Sequence, residues 1–266
     1  MNHNQLDKVI AAYRNIGSEN DSLHAEFTAL AQSDPLLNSH RRYIEENHLG
    51  FGDAAFHYLW LLILKKVTAT ASPRLLEIGV YKGQIISLWA LLLEHLNCSG
   101  EIHAISPLRG DPISTSKLIR RIRRVLSARY RERLRNGDFY ESTDYEQILR
   151  QLFMHFELEW EDIKLHRGLS TDALIRSAVQ NEVFDVVYVD GDHTYAGARA
   201  DYEFFGPLVR PGGFLIADDA GCNLPGTSFW KGHPSVSEAA KVIPRLGFRN
   251  VLNVGHNCLY QRLQSL

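Results

Sequence analysis

The chain has 266 residues, of which 45% are hydrophobic and 23% charged, with a formal net charge of −2. That length supports one large core and is cramped for two full domains, and the composition excludes a disordered, collagenous or fibrous chain. The near-neutral charge gives no global sign of nucleic acid or an acidic membrane as partner.

The first 70 or so residues read as helical in three pieces, at 2–14, 22–31 and 53–67, with Asp53 as an N-cap after the turn-like LGFGD at 49–53. The most apolar run, 54–64, is too short for a membrane span and contains His57 and Tyr58, so it reads as a buried helix. After a break at Ala71-Ser72-Pro73 the pattern becomes short apolar runs alternating with helices. Strands are predicted at 74–78, 101–105, 163–166, 184–189 and 213–217, and helices at 85–96, 144–156, 170–180 and 195–208. Such alternation implies parallel crossovers and a doubly wound α/β sheet. Two further strands, 248–254 and 257–262, joined at Gly255-His256, form a hairpin that brings the count to seven and leaves one strand antiparallel.

Charge is unevenly spread along the chain. Residues 113–135 hold nine Lys or Arg against one acid, Glu132, so this window carries +8 and the remainder −10. Leu118, Ile122, Val125, Leu126 and Leu134 recur near helical spacing, which predicts one basic amphipathic helix, inserted into the fold. A solvated basic face is the plain reading, an anionic substrate or partner the functional one. Nucleic acid is disfavoured because no aromatic platform accompanies the charge. The three cysteines, Cys98, Cys222 and Cys258, are odd in number and contain no C-x-x-C pair, against a disulfide framework or zinc site. With a polar N-terminus lacking a signal-length apolar run, they predict a cytoplasmic protein.

Two constellations carry chemistry. The first strand runs into Glu77-Ile78-Gly79-Val80-Tyr81-Lys82-Gly83, a glycine-bearing turn at the carboxyl edge where open α/β sheets bind ligands. A dinucleotide fingerprint would need glycines at Tyr81 and Gln84, so a pyrophosphate cradle is disfavoured, and the acid Glu77 suits a cationic group. The fourth strand ends in Asp190-Gly191-Asp192-His193 and the fifth in Asp218-Asp219. If these strands are neighbours, three carboxylates converge, and like charges gathered so closely call for a hard divalent cation such as magnesium on Asp190, Asp218 and Asp219. His193 is placed to accept a proton from a substrate hydroxyl near neutral pH. The structural alternative is that Asp192 caps the helix near Tyr195 and that His193 packs.

The stretches LLEIGVYKG and FDVVYVDGDHTYAGARADYEFFGPLVRPGGFLIADD resemble class I S-adenosylmethionine-dependent methyltransferases. More narrowly, they are similar to the metal-dependent group of macrocin and mycinamicin sugar O-methyltransferases and cephalosporin hydroxylase-like proteins. The resemblance spans about residues 70–262 and implies a Rossmann-like catalytic domain over 71–266 behind an N-terminal helical cap at 1–70. It implies that Glu77 and Gly79 hold the methionine end of the cofactor, that Asp190, Asp218 and Asp219 bind Mg2+ or a similar ion, and that His193 is the general base. Gly83, which closes the same loop, and Asp190 are further candidates to contact the cofactor, and Tyr81 either touches cofactor or packs against the cap. The second strand departs from the family pattern by ending in Ser106 rather than an acid, so Ser106, or Asp111 from the following loop, is left to meet the ribose. Gly168 and Ser170, after the third strand, would frame adenine.

The resemblance places the aromatic stretch 51–60 in the cap over the site, with an ordinary packing helix as the alternative. The loop 221–234, which holds Trp230, Lys231 and His233, reads from its length and its place at the carboxyl edge as a substrate lid, with a plain surface turn as the alternative. The reading that follows is a magnesium-dependent O-methyltransferase of a small polar natural product, a sugar or glycosylated scaffold, with no membrane partner. The apolar N-terminal helices and the basic insertion are candidate surfaces for self-association. Rival readings are methylation of another atom, a role within a composite hydroxylase, and a non-catalytic cofactor-binding protein whose basic helix holds an acidic partner.

Overall fold

The computed structural model describes residues 5–69, 72–110, 112–137, 139–140 and 142–264. Asp111 lies outside these, as do the first residues of the helix predicted at 2–14 and Ala71 of the predicted break.

Four helices lead the chain: α1 Gln5–Ala12, α2 Gly17–Ser33, α3 Pro35–Glu46 and α4 Ala54–Val67. Sequence reading misses α3. Its start is a capping signal that resembles a break: Asp34 accepts N–H bonds from Leu36 and Leu37, and Pro35 occupies the first turn, where its missing N–H is harmless. Asp53 caps α4 as predicted, accepting from the Ala55 N–H at 3.0 Å. Apolar on nearly every side, α4 is buried between the other helices and the sheet, with Trp60 set edge-on to Trp89 and Tyr188.

The sheet contains β1 Arg74–Ile78, β2 Glu101–Ser106, β3 Ile163–Arg167, β4 Phe184–Val189, β5 Val209–Ala217, β6 Phe248–Val254 and β7 Asn257–Arg262, in the order β3-β2-β1-β4-β5-β7-β6. All pairs are parallel except those made by β7, which runs antiparallel to both β5 and β6. The doubly wound, Rossmann-like sheet with one inserted antiparallel strand is therefore the observed fold. Its first and fourth strands and both hairpin strands have the predicted bounds; β5 begins four residues earlier, through Val209.

Between the strands lie α5 Gln84–His95, α6 Lys117–Leu126, α7 Ala128–Asn136, α8 Tyr145–His155, α9 Ala173–Val179, α10 Tyr195–Phe205 and α11 Pro234–Ala239. One core packs α1, α2, α4, α5 and α8 on one face of the sheet; a second packs α10 and α11 on the other.

The basic window forms two helices rather than the single predicted one. Apolar spacing runs on across Ser127, but the backbone there is extended (φ −118°, ψ 113°), and its hydroxyl accepts from the Tyr130 N–H to start α7. No residue of α6 is buried, and Leu126 is 80% exposed, so its apolar stripe stays largely open to solvent. The second helix does dock. Arg129 pairs with Asp192, and Asn136 Nδ2 donates to the carbonyl of His193 at 2.7 Å. All three cysteines are free. Among the described residues no helix is long and apolar enough to cross a membrane.

Candidate active site

Parallel pairing brings the carboxyl ends of β1, β2, β4 and β5 to one edge. The ladder carries a step past the strand ends, through Gly79 N–H to Ile105 O, Asp190 N–H to Ile78 O and Asp218 N–H to Val189 O. The sequence-predicted residues Glu77, Gly79, Tyr81, Ser106, Asp190, His193, Asp218 and Asp219 all line one cleft of about 700 Å³ above that edge.

Glu77 is 2% exposed, and its Oε2 has no hydrogen-bond partner. Burial, reinforced by the nearby Asp218, pushes its carboxyl up to about 8. Gly79 has φ +99°, and a Cβ there would collide with the Asp190 carbonyl oxygen, so only glycine allows the β1 and β4 turns to pass this closely. Tyr81 also lies at positive φ (+47°); its ring stacks on Phe51 and meets Tyr145 edge-on, forming an aromatic wall. Gly83 does not line the cleft. It is the N-cap of α5, at φ +95° against Leu149. Ser106 lines the cleft with its Oγ accepting from the Leu108 N–H at 3.1 Å.

Gly168 and Ser170 line an adjoining cleft of about 620 Å³, which shares Gly79, Arg109, Tyr140 and Gly191 with the first. Asp192 does not cap α10. That cap is Thr194, whose hydroxyl accepts from the Gly197 N–H, while Asp192 accepts from Thr194 N–H and pairs with Arg129.

The acidic group is the sharpest feature. Burial and the adjacent Asp218 raise the Asp190 carboxyl well above the ordinary range. His193 Nε2 stands 3.4 Å from both Asp190 Oδ1 and Asp219 Oδ2. Asp219, at φ +55°, is turned so that its two oxygens face different partners. Its Oδ2 faces His193 and, at 3.5 Å, His233; its Oδ1 faces His256 at 3.5 Å. The His193 and His233 rings stack with centroids 4.8 Å apart. Buried Asp218 Oδ1 accepts no hydrogen bond. An orphaned carboxylate oxygen among acids and imidazoles fits a divalent cation, and two triplets of donor atoms meet its spacing: His193, Asp219, His233 and Asp218, Asp219, His256.

Sequence reading places His233 only in a candidate lid and misses His256 as a site residue. The lid loop is pinned by Asp21 on α2, which accepts from the N–H groups of Thr227 and Ser228, contacts that hold its carboxyl down at about 2. Trp230 from that loop meets both His233 and His256 edge-on.

Residues 76–220 match the model of a family described as a methyltransferase domain. No curated protein matches the sequence. Among solved structures, the O-methyltransferase NovP aligns with a TM-score of 0.57 at 18% identity, over 79% of this chain and 80% of its own. An O-methyltransferase from Bacillus cereus in complex with SAH gives 0.53 at 15%, over 90% and 99%. CalS11, described as a TDP-rhamnose 3'-O-methyltransferase of calicheamicin biosynthesis, gives 0.51 at 15%, over 97% and 99%. At these identities the likeness is one of fold.

Proposed function

The chain belongs to the methyltransferase-domain family, and from that premise we propose that it moves the methyl group of S-adenosylmethionine to a hydroxyl of a small polar acceptor, with a divalent cation in the site. The observation that carries this is the convergence, in one cleft, of the Glu77–Gly79 turn with Asp190, His193, Asp218 and Asp219. The orphaned Glu77 Oε2 and the close approach only Gly79 permits suit the methionine end of the cofactor. Ser106 would serve the ribose, and Gly168 with Ser170 the adenine in the adjoining cleft. Asp190, Asp218 and Asp219 would hold the cation.

When bound, the sulfonium supplies the methyl group and the cation supplies positive charge that makes an acceptor hydroxyl more acidic. The chain's own work is alignment and proton handling. His193 Nε2 accepts the hydroxyl proton, and the carboxylates of Asp190 and Asp219 stabilise the imidazolium that results. Asn136, bonded to the His193 carbonyl, and Arg129, bonded to Asp192, fix this loop from outside. Phe51 and Phe56 from the N-terminal segment, with Trp230 from the loop, form the acceptor wall, so residues 1–70 act as a cap in shaping specificity. Three free cysteines suit a reducing cytoplasm.

The likeness to CalS11, described as acting on TDP-rhamnose, makes sugar hydroxyls the first acceptors to screen, with S-adenosylhomocysteine release and product mass as readouts. A gain of one methylene unit that EDTA suppresses is the expected result, with His193→Ala reducing turnover by about 10²–10⁴-fold. Failure to bind S-adenosylhomocysteine, or a gain of one oxygen instead, overturns the reading.

A further inference from the structure

We infer that His256 is a ligand of the cation in this site, and that the site therefore selects an imidazole-accepting transition cation over magnesium. This rests on the reading above that a divalent cation belongs here, and adds a residue and a metal class to it.

The hairpin topology puts His256 in place. Because β7 runs antiparallel against β5, with Cys258 opposite Ala217, the β6–β7 turn comes back to the edge where β5 delivers Asp218 and Asp219. The Ala220 N–H bonded to the His256 carbonyl at 3.1 Å fixes that approach. The ring is 5% exposed and held edge-on between Phe56, at 4.6 Å, and Trp230, at 4.9 Å, so its orientation is set by packing on both sides. Its Nε2 points at Asp218 Oδ1 from 3.4 Å and at Asp219 Oδ1 from 3.5 Å.

Those separations are informative. The contact with Asp218 lacks hydrogen-bond geometry, since that oxygen, on a nine-tenths buried side chain, accepts no bond. Two ligand atoms each about 2.0–2.1 Å from a tetrahedral ion lie about 3.3 Å apart, close to the spacing observed. Asp219 divides the cluster in two. Its Oδ1 belongs with Asp218 and His256, while its Oδ2 belongs with the stacked pair His193 and His233, which is left for proton transfer. Magnesium favours oxygen ligands throughout, whereas imidazole suits zinc, cobalt, nickel and iron, so a buried imidazole aimed at two carboxylates biases the site toward the second group.

The test is a titration of chelator-treated protein with Co2+ and with Mg2+, by calorimetry and, for cobalt, visible absorption. The expected result is that His256→Ala weakens Co2+ binding about 10–100-fold and leaves Mg2+ binding unchanged, collapsing the preference. Pulsed EPR of Cu2+, an imidazole-accepting ion, bound to the unaltered protein, with imidazole nitrogen coupling expected, keeps the test open should the variant fold poorly. Equal effects of His256→Ala on both cations, or no nitrogen coupling, overturn the assignment of His256 while leaving a carboxylate-bound cation standing. If neither Co2+ nor Mg2+ binds, the divalent-cation reading falls and this inference with it.

Discussion

Replacing Glu77 with glutamine tests the cofactor end of the site, because the carboxyl's ionisation makes its contribution depend on pH. With Glu77 at about 8, roughly one molecule in ten carries the carboxylate at pH 7. An α-ammonium group that pairs with it must displace the proton, at a cost of about 1.4 kcal/mol at pH 7 and about twice that at pH 6. S-adenosylhomocysteine affinity of the wild-type protein should therefore rise about tenfold per pH unit from 6 toward 8 and flatten above. A buried charge-assisted hydrogen bond contributes about 1.5–3 kcal/mol. Glu77→Gln should thus be near parity with wild type at pH 6 and about 10–100-fold weaker at pH 8, with its own profile flat. Calorimetry in two buffers of different protonation enthalpy counts the proton released on binding. The same shift acts on folding: a carboxyl raised from 4.5 to about 8 loses stability as pH climbs through that window, up to about 5 kcal/mol, so Glu77→Gln should melt higher than wild type at pH 8. A wild-type affinity that is level from pH 6 to 8, or a glutamine deficit equal at every pH, refutes the assignment.

A second linkage lies behind the cofactor loop, where buried His40 bridges His57 (3.0 Å) and Ser87 (2.9 Å). Burial holds His40 down at about 3, below its ordinary 6.5, so the unfolded chain binds the extra proton and stability falls by about 1.4 kcal/mol per unit as pH drops from 6.5. His57 is depressed by the same burial; His40→Gln should lessen the acid slope by about 1.4 kcal/mol per pH unit in denaturant melts taken between pH 6.5 and 4, and an unchanged slope counts against the account. Gly79→Ala should lower Tm and abolish S-adenosylhomocysteine binding, since the added Cβ meets the Asp190 carbonyl and φ +99° costs about 1–3 kcal/mol for a side chain. Retained binding would show that the β1 and β4 turns can separate without consequence.

Most of the sheet was legible in the sequence because its strands are short apolar runs bounded by breakers, and in β4 the six-residue length and its three valines decide for a strand over a helix. What was lost was lost where one local signal serves two structures. Asp34-Pro35 reads as punctuation, yet an aspartate that caps and a proline in the first turn are also how α3 begins. At Ser127 the apolar spacing continues while the chain turns, because a serine hydroxyl can cap a new helix without interrupting the pattern of its neighbours. The acidic half of the site was legible because Asp190 and Asp218 end consecutive sheet neighbours. His256 was not, because a histidine in a hairpin turn carries no local mark of what the turn faces. A topological signal was available: once β7 is taken as antiparallel beside β5, its leading turn must lie at β5's carboxyl end.

The same distinction between local pattern and placement applies to charge. As a composition, the +8 window and the −10 remainder invite a single electrostatic partner for the whole basic segment. Placement separates its two halves. In α7, Arg129 is committed to Asp192 and Asn136 to the His193 carbonyl, so this half stiffens the loop that carries the base. In α6 the arginines and the apolar stripe are both exposed, and neither touches the site's acids by any contact that would neutralise them. The acids therefore keep their charge problem to themselves: Glu77 and Asp190 answer it with raised carboxyls, and Asp218 and Asp219 face imidazoles at distances an ion can span. Among the described contacts the basic segment reaches Asp192 through Arg129, and the carboxylates of the cleft that instead face imidazoles across distances an ion can span are the arrangement a cation from solution would complete.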